Sequence, residues 1–347
     1  MNTIPRKAIA LISGGLDSML AAKMILEQGI HVEGINFFTG FCVEGHTHAI
    51  RAHAKPKRNN SLWVAENLGI KLHIIDVVEE YKSIVINPQH GYGAHLNPCL
   101  DCKIFMIKKA KQWLIEHQFD FIITGEVIGQ RPKSQLKTTM PIVAHESGAH
   151  DLLLRPLCAK NLAPTLPERE GWVQREMLGD FSGRSRKPQI ALAQHYGITE
   201  YAQPAGGCCF LTDEHYASKL QDLWQARGER KYELDDVMLL KVGRHIRPAP
   251  HFKLIIGREE GENNYLQGYR HQYIHLSTPE VMGPLVLIDG DRISAPDIIL
   301  AAQITARFSD GCDDPQVVVE VGMQSGSLQR LWVSPLPKTA VISEWYV

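Results

Sequence analysis

The sequence predicts an α/β protein, with a doubly wound, mostly parallel sheet followed by a smaller α+β module. Over roughly the first 160 residues, short apolar runs alternate with amphipathic stretches, which is the pattern of β-α-β units. From about Asp235, short strand-like runs separated by Gly, Asp and Pro replace that pattern. We therefore expect one domain over 1–215 and a second over 235–347. In open parallel sheets, ligands bind beyond the carboxyl ends of the strands.

The apolar runs and the Gly and Pro positions predict the individual elements. In the first domain, strands are predicted over 8–12, 30–38, 71–77 and 119–124. Helices are predicted over 17–29, 61–68 with Ser61 as its cap, 103–117, about 169–178, and 188–196. In the second module, strands are predicted over 253–256, 285–288, 317–321 and 331–333, with a helix over about 296–307.

Composition and charge exclude several classes of protein. The 347 residues are 44% hydrophobic and 22% charged, values that do not fit a disordered or collagen-like chain. No apolar run is longer than five residues, and Asp17 interrupts the apolar stretch near the start, so neither a membrane span nor a signal peptide is expected. We expect a cytoplasmic protein. A net charge of -1 argues against unspecific coating of nucleic acid but allows a local basic groove.

A glycine-rich loop, Ser-Gly-Gly-Leu-Asp-Ser, lies between the first predicted strand and the first helix. Its glycines let the backbone approach an anion, and the amides at the helix start suit a phosphate. The serines supply hydroxyl donors, and Asp17, expected to face solvent, can hold Mg²⁺ or orient a departing pyrophosphate. The loop is neither a Walker A motif nor the dinucleotide fingerprint. The candidate cofactor-binding residues are Ser13, Gly14, Gly15, Asp17 and Ser18.

The seven cysteines do not indicate a disulfide framework, because their number is odd and the chain is long. Two spacings are non-random: Cys99-x-x-Cys102, and the adjacent Cys208 and Cys209. Spacing alone leaves open a redox dithiol, a zinc site, an iron–sulfur site or no special role. With Cys208 as a third ligand, three irons of a [4Fe-4S] cluster would be held and one left open. Three other cysteines are expected to be buried and inert: Cys42, Cys158 and Cys312.

The glycine loop matches, at every defined position, the SGGxDS signature of the PP-loop ATP pyrophosphatases. Further stretches resemble a branch of the tRNA thiolation enzymes related to the 4-thiouridine and 2-thiouridine synthetases. The resemblance runs from 9 to about 213, and the loop combined with three cysteines is its most specific feature. The other matching stretches are 97–99 (NPC), 124–132 (TGEVIGQRP), 155–157 (RPL), 183–187 (GRSRK) and 204–208 (PAGGC).

The resemblance implies an ATP-binding domain of adenine nucleotide alpha hydrolase-like fold that carries a cysteine-bearing insert. It implies ATP and Mg²⁺ in the glycine loop and a [4Fe-4S] cluster on three of the cysteines. The implied catalytic residues are Asp17, Cys99, Cys102 and Cys208, of which the cysteines are the metal ligands. It also implies nucleotide and target-base contacts on the loop after the fourth strand, by Gly125, Gln130 and Arg131. The role of the extra thiol, Cys209, stays open.

Two regions carry basic residues suited to RNA phosphates. In the first domain, the candidates are Arg184, Arg186 and Lys187, although a solvated charged face is the alternative. The second module, through 241–245 (KVGRH) and 256–264 (IGREEGENN), resembles the NFACT RNA-binding domain of ribosome quality-control factors. Its candidates for phosphate contact are Arg244, Arg247, Lys253, Arg258 and Arg270. Its candidates for base stacking are Tyr265, Tyr269 and Tyr273, whose spacing equally fits a core stripe.

Together with the resemblance, these features predict an ATP-dependent tRNA sulfurtransferase. A uridine carbonyl oxygen would be adenylated, and sulfur delivered through the cluster would displace AMP. The predicted partners are tRNA and a sulfide or persulfide donor, with no membrane, and a homodimer is left open. The alternatives are a PP-loop amidotransferase or ligase that forms a C–N bond, a non-catalytic ATP-sensing RNA-binding protein, and a redox protein that uses a Cys99–Cys102 dithiol.

Overall fold

A computed structural model of the protein describes residues 5–42, 58–202 and 209–347. The described chain divides into two compact units, with the boundary between Thr212 and Asp213. Each unit is built around its own sheet. No helix of the described chain combines the length and the apolar character that crossing a bilayer requires.

The first unit is a parallel sheet with helices packed against it. Its strands are β1 (Lys7–Leu11), β2 (His31–Phe38), β3 (Leu72–Asp76), β4 (Phe121–Ile123) and β5 (Leu153–Leu154). Its helices are α1 (Leu16–Leu26), α2 (Asn60–Leu68), α3 (Val78–Ile86), α4 (Cys99–Glu116), α5 (Met140–Glu146), α6 (Leu166–Arg169) and α7 (Lys187–His195). The strand order is β3-β2-β1-β4-β5, and every neighbouring pair is parallel. This confirms the predicted doubly wound α/β fold.

Strand β1 lies in the middle of the sheet and is buried on both faces. Ala8 and Ala10 belong to the core cluster that contains the α1 side chains, and Ile9 belongs to the cluster of α4 and α5. All three residues are at most 1% exposed. A strand with helices on both faces needs apolar residues at successive positions, which explains the unbroken apolar run in the sequence.

The order of the strands places two loops side by side. From β1 the chain moves outward through β2 and β3, then returns to place β4 on the other side of β1. The loops that follow β1 and β4 therefore leave the same edge of the sheet next to each other. Ligands of doubly wound sheets bind at such a point of reversal.

Three local predictions were wrong. The helix predicted over 169–178 is absent: α6 ends at Arg169, Gly171 follows in the left-handed region (φ +67°), and a 3-10 turn covers Arg175–Met177. Helix α2 is capped by the side chain of Asn59, not Ser61. Helix α4 begins at Cys99 instead of Lys103, so that both cysteines of the Cys-x-x-Cys pair lie inside it.

The second unit is an antiparallel sheet with helices, as predicted for an α+β module. Its helices are α8 (Glu214–Arg227), α9 (Leu234–Leu239), α10 (Glu260–Gln267) and α11 (Ala295–Arg307). Its strands are β6 (Arg244–Ala249), β7 (Phe252–Ile256), β8 (Ile274–Ser277), β9 (Val286–Gly290), β10 (Val317–Gly322) and β11 (Leu328–Val333). The sheet order is β11-β10-β8-β9-β7-β6. The four predicted strands correspond to β7, β9, β10 and β11, whereas β6 and β8 were not predicted.

Candidate functional site

The loop after β1 adopts a backbone shape that depends on its glycines. Gly14 has a φ of +76°, where any side chain is strained, and Gly15 is extended (φ −88°, ψ 159°) at the N-cap of α1. Ser18 Oγ donates a hydrogen bond to the Gly15 carbonyl at 2.8 Å, and Ser13 Oγ donates to Ser18 Oγ at 3.4 Å. The first amides of α1 have no acceptor within the helix, so this turn can receive an anion.

Asp17 lies in the first turn of α1, and its side chain is 16% exposed, so the expectation of a solvent-facing position was wrong. Its Oδ2 accepts a hydrogen bond from Gln130 Nε2 at 2.6 Å and lies 3.4 Å from Arg186 Nη2. Its Oδ1 is buried and has no hydrogen-bond partner among the described residues. A buried carboxylate oxygen without a partner is costly. Oxygen is the ligand that Mg²⁺ prefers, so the donor set at Oδ1 fits that ion.

Gly125 allows the loop after β4 to lie directly against α1. A Cβ at this position would stand within 2.5 Å of the Asp17 carbonyl oxygen and the Ser18 amide nitrogen. Because no other residue fits there, this glycine determines how closely the two loops approach. The approach brings Gln130 to Asp17. The side-chain oxygen Oε1 of Gln130 accepts a hydrogen bond at 2.9 Å from Nε2 of Gln189, which is fully buried in α7.

The predicted basic residues separate into two groups. Arg186 faces the Asp17 carboxylate and so belongs to the glycine-loop site. Arg184 and Lys187 are exposed, and Arg131 is half-buried; none of the three has a salt bridge with any residue the structure describes. These three cations remain available to phosphate groups.

Cys99 and Cys102 lie one helical turn apart at the start of α4. Cys99 Sγ donates a hydrogen bond to Ser134 Oγ at 3.2 Å, and Ser134 is fully buried. Between the two cysteines, Asp101 is 6% exposed and accepts a hydrogen bond from the His90 amide at 3.0 Å. Asp101 therefore joins the preceding loop to the first turn of the helix that carries both cysteines.

Cys209 reaches the same region from a distant part of the chain. Its Sγ lies 3.8 Å from Asn97 Oδ1, two residues before Cys99, and its backbone forms an antiparallel bridge with Cys42. Cys208, the predicted third ligand, lies outside the described residues. Within the described ranges, no group of three His, Cys, Asp or Glu side chains is arranged to hold a metal ion.

The expectation of buried, inert thiols holds for one cysteine of three. Cys158 is fully buried, and burial raises the pKa of its thiol to about 11. Cys42 and Cys312 are half-buried, so the expectation was wrong for both. Cys42 lies opposite Cys209 because the chain after β2 forms an antiparallel bridge with the first residue of the described range 209–347.

Sequence reasoning missed a buried ion pair behind the site. Glu126 Oε2 accepts hydrogen bonds from Arg155 Nε and Thr124 Oγ1, both at 3.0 Å, and the two charged side chains are at most 6% exposed. Burial alone would raise the pKa of Glu126, but the charges of Arg155 and Lys103 and the hydrogen bonds hold it below its usual value. Glu126 is therefore ionised, and the pair anchors the start of the loop after β4. The signal in the sequence was an acidic residue shortly after the predicted strand 119–124, whereas Arg155 follows β5, a strand that was not predicted.

One loop thus connects the glycine loop with the cysteines. From its anchor at Glu126, the loop turns at Gly129 (φ +77°), whose amide donates to the Gln135 carbonyl at 2.6 Å. Gln130 at the turn contacts Asp17, and Ser134 further along contacts Cys99. A nucleotide on the glycine loop and a sulfur group on the cysteine helix would both border this loop.

In the second unit, most predicted RNA contacts are engaged within the unit. Lys253 is 1% exposed and lies 3.5 Å from carboxylate oxygens of Asp222 and Asp289, so its predicted contact with phosphate is wrong. Arg247 is bidentate to Asp222, and Arg258 to Glu262. The predicted stripe of tyrosines is partly buried and packs against the hydrophobic cluster that contains Leu239 of α9 and Leu266 of α10. Its members are Tyr265, Tyr269 and Tyr273. This packing favours the core-stripe alternative.

Comparison with known proteins identifies the family. Residues 4–162 match the family model described as thiamine biosynthesis protein (ThiI), and residues 243–346 match the NFACT protein RNA binding domain. The chain is 32% identical over 274 residues to the tRNA-specific 2-thiouridylase MnmA of Pelobacter propionicus, an alignment that covers 76% of this chain and 66% of that protein. The chain belongs to the PP-loop family of tRNA thiolation enzymes. The resemblance inferred from the motifs is confirmed for both parts of the chain.

Other similarities extend over comparable lengths. MnmA of Mesoplasma florum is 27% identical over 285 residues, which cover 77% of this chain and 70% of that protein. The chain thus spans about two thirds of the length of these two relatives. A solved 4-thiouridine synthetase–RNA complex with bound ATP aligns with a TM-score of 0.35 and 19% identity, over 68% of this chain and 52% of that one.

Gly125→Ala should weaken ATP binding by about tenfold, equivalent to ~1.4 kcal/mol. The added Cβ has no room against the backbone of Asp17, so the loop after β4 must move away and release Gln130. Titration calorimetry with ATP·Mg²⁺ measures the change. Gly268→Ala is the control, because neither Gly125 nor Gly268 lies in the left-handed region, and a Cβ added at Gly268 meets nothing closer than 3.5 Å. Wild-type affinity in Gly125→Ala would show that the close approach is not needed.

Proposed function

We propose that this protein catalyses ATP-dependent thiolation of a tRNA uridine. The observation that supports the proposal most directly is the loop after β4, which contacts Asp17 at 2.6 Å and Cys99 at 3.2 Å through its own side chains. In such a reaction, an oxygen activated by ATP and an incoming sulfur must meet at one carbon atom. A loop that contacts both the glycine-loop site and the cysteine helix suits that requirement.

The first step is adenylation of the uridine carbonyl oxygen. That oxygen attacks the α-phosphorus of ATP, the bond to the bridging oxygen breaks, and pyrophosphate leaves. Ser13, Ser18 and the amides around Gly15 would hold the phosphates, and Asp17 Oδ1 would hold Mg²⁺, which would supply charge neutralisation. Gln130 and Arg186 fix the orientation of the Asp17 carboxylate. Adenylation is needed because an enolate-like oxygen is a poor leaving group, whereas AMP is a good one.

The second step replaces AMP by sulfur at the same carbon. We place this step beside Cys99 and Cys102, with Cys208 as the third thiol of a [4Fe-4S] site. Two described features support that ligand set: the two thiols share the first turn of α4, and Cys209, the neighbour of Cys208, lies 3.8 Å from Asn97. When bound, such a cluster supplies an open iron for sulfide. The sulfur itself comes from a sulfide or persulfide donor.

The tRNA backbone is proposed to contact cations that no described carboxylate neutralises. Lys187 is exposed at the start of α7, Arg184 is exposed three residues before it, and Arg131 lies on the same loop as Gln130. With a chain charge of only -1, affinity for tRNA must come from such local positions. Arg186 is not included, because it faces Asp17.

Asp17→Asn should lower ATP-dependent pyrophosphate release roughly 100-fold, equivalent to ~2.7 kcal/mol of transition-state stabilisation. Asparagine keeps the size of the side chain but removes the charge that holds the metal–phosphate complex. Pyrophosphate release in the presence of tRNA is the assay. Asp180→Asn, at an exposed position, is the matched control and should retain full activity. Undiminished release by Asp17→Asn would exclude the assigned nucleotide site.

Protein purified without oxygen should contain about four irons and a similar amount of acid-labile sulfide. Cys99→Ala, Cys102→Ala and Cys208→Ala should each lose them, since each removes a proposed ligand. The Cys158→Ala variant should keep its iron and sulfide, because the buried Cys158 thiol donates a hydrogen bond to the Glu126 carbonyl and is not a proposed ligand. Loss of iron in Cys209→Ala but not in Cys208→Ala would reassign the third ligand. Iron-free wild type that still thiolates tRNA would exclude the cluster.

The double variant Arg184→Ala/Lys187→Ala should weaken tRNA binding and reduce the slope of log affinity against log salt by about two. Each substitution removes one cation that we assign to a phosphate, while the ATP site stays intact. Fluorescence anisotropy at several salt concentrations gives the slope. Lys108→Ala, an exposed cation on α4, serves as the control. An unchanged slope in the double variant would place the tRNA elsewhere.

A further inference from the structure

The sheet of the second unit has one covered face and one partly covered face. Helix α11 packs on the first face, where its side chains share a core cluster with residues such as Val319 and Val333. On the second face, α9 and α10 pack over β7 and β9, and their Leu239 and Leu266 share a cluster with Leu287. The strands β8, β10 and β11 continue this second face beyond the two helices.

The register of the strands shows which side chains lie on that continuation. His275 of β8 is paired with Leu287 of β9 on one side and with Gly322 of β10 on the other, and Gly322 is paired with Leu328 of β11. Because side chains alternate along a strand, Arg330 and Trp332 share the face of Leu328. We call these four residues, His275, Leu328, Arg330 and Trp332, the open face.

The open face carries the exposed aromatic ring of this sheet. Trp332 is 64% exposed and Leu328 65%, although both belong to a strand whose opposite face is part of the core. A Cβ on Gly322 would overlap the His275 ring, so the glycine lets that ring lie close to the sheet surface. Burying a tryptophan stabilises a fold, and one left on a strand in water indicates an interaction surface.

The chemistry of the open face fits a nucleic-acid base better than a protein. Leu328 and Trp332 are separated along the strand by Arg330, which is 55% exposed and lies 3.4 Å from Glu320, so no continuous apolar patch exists. Glutamate is depleted in protein interfaces, and Glu320 lies beside Arg330 on this face. Flat aromatic rings on a sheet, interleaved with arginine and histidine, are the arrangement on which unpaired bases stack.

We propose that Trp332 stacks on an unpaired base of bound tRNA, with Arg330 beside it. The inference rests on the proposed function, in which tRNA is the substrate. To that function it adds a binding residue, Trp332, and a type of contact, base stacking. It also transfers the base-stacking role from the tyrosine stripe, which is packed against the core, to the opposite end of the same sheet. The match of residues 243–346 to an RNA binding domain spans this face without indicating where on it RNA lies.

The test compares full-length Trp332→Ala, Trp332→Tyr and Leu328→Ala in binding an unmodified tRNA transcript. Trp332→Ala should lower affinity about tenfold, within the range for loss of one stacked base, and leave the salt slope unchanged. Trp332→Tyr keeps an aromatic face and should stay within about threefold of wild type. Leu328→Ala, equally exposed on the same face but not aromatic, should have almost no effect. A single-stranded oligouridine of about eight nucleotides should displace the tRNA transcript from the wild-type protein better than a blunt RNA duplex of equal length.

Two results would overturn the proposal. One is a Trp332→Ala affinity within twofold of wild type, with an unchanged melting temperature. The other is an equal loss of tRNA affinity in Trp332→Ala and Leu328→Ala, together with self-association of the wild-type protein in sedimentation. That pair of results would make the open face a contact between copies of this chain. Sulfur incorporation is measured separately. If wild type binds tRNA through Trp332 but incorporates no sulfur, the proposed function fails and the stacking site stands.

Discussion

The arrangement of the first unit depends on the contact between Gly125 and the first turn of α1. Parallel pairing places β4 beside β1, but only a residue without a Cβ lets the loop after β4 lie on the backbone of Asp17 and Ser18. From that contact follow the hydrogen bond of Gln130 to Asp17 and the contact of Ser134 with Cys99. A steric condition at one position therefore brings a nucleotide loop and a pair of thiols to opposite ends of the same short loop.

The buried Glu126–Arg155 pair keeps that loop in place from behind. Two charges in the interior lose their hydration, and removing one partner of such a pair typically costs ~3–5 kcal/mol because the other is left uncompensated. Here the carboxylate also accepts a hydrogen bond from Thr124, and the Glu126 carbonyl accepts one from the Cys158 thiol. Glu126, the residue next to Gly125, is thus held in position by hydrogen bonds to both its side chain and its backbone. This rigidity suits a loop that must position two reacting groups.

The sequence predicted the parts of the structure that are encoded locally. The apolar run of β1, the glycine turn and the helix after it follow from neighbouring residues, and the α/β fold follows from their alternation. The pairing of Gln130 with Asp17 was not predictable because it joins residues 113 positions apart. Lys253 appeared to be a surface cation because the carboxylates of Asp222 and Asp289 that surround it come from other elements. Trp332 was overlooked for the same reason: its exposure depends on which half of the sheet the helices cover.

The most direct test is a single-turnover reaction that counts AMP and sulfur together. The protein, prepared without oxygen, is mixed with ATP, Mg²⁺, isotopically labelled sulfide and a tRNA transcript, and the AMP and the digested nucleosides are quantified by mass spectrometry. If the glycine loop and the cysteine helix serve one reaction, one labelled thiouridine should appear for each AMP, and neither without ATP. AMP formed with tRNA that carries no sulfur, or that has gained nitrogen, would contradict thiolation as the activity of this site.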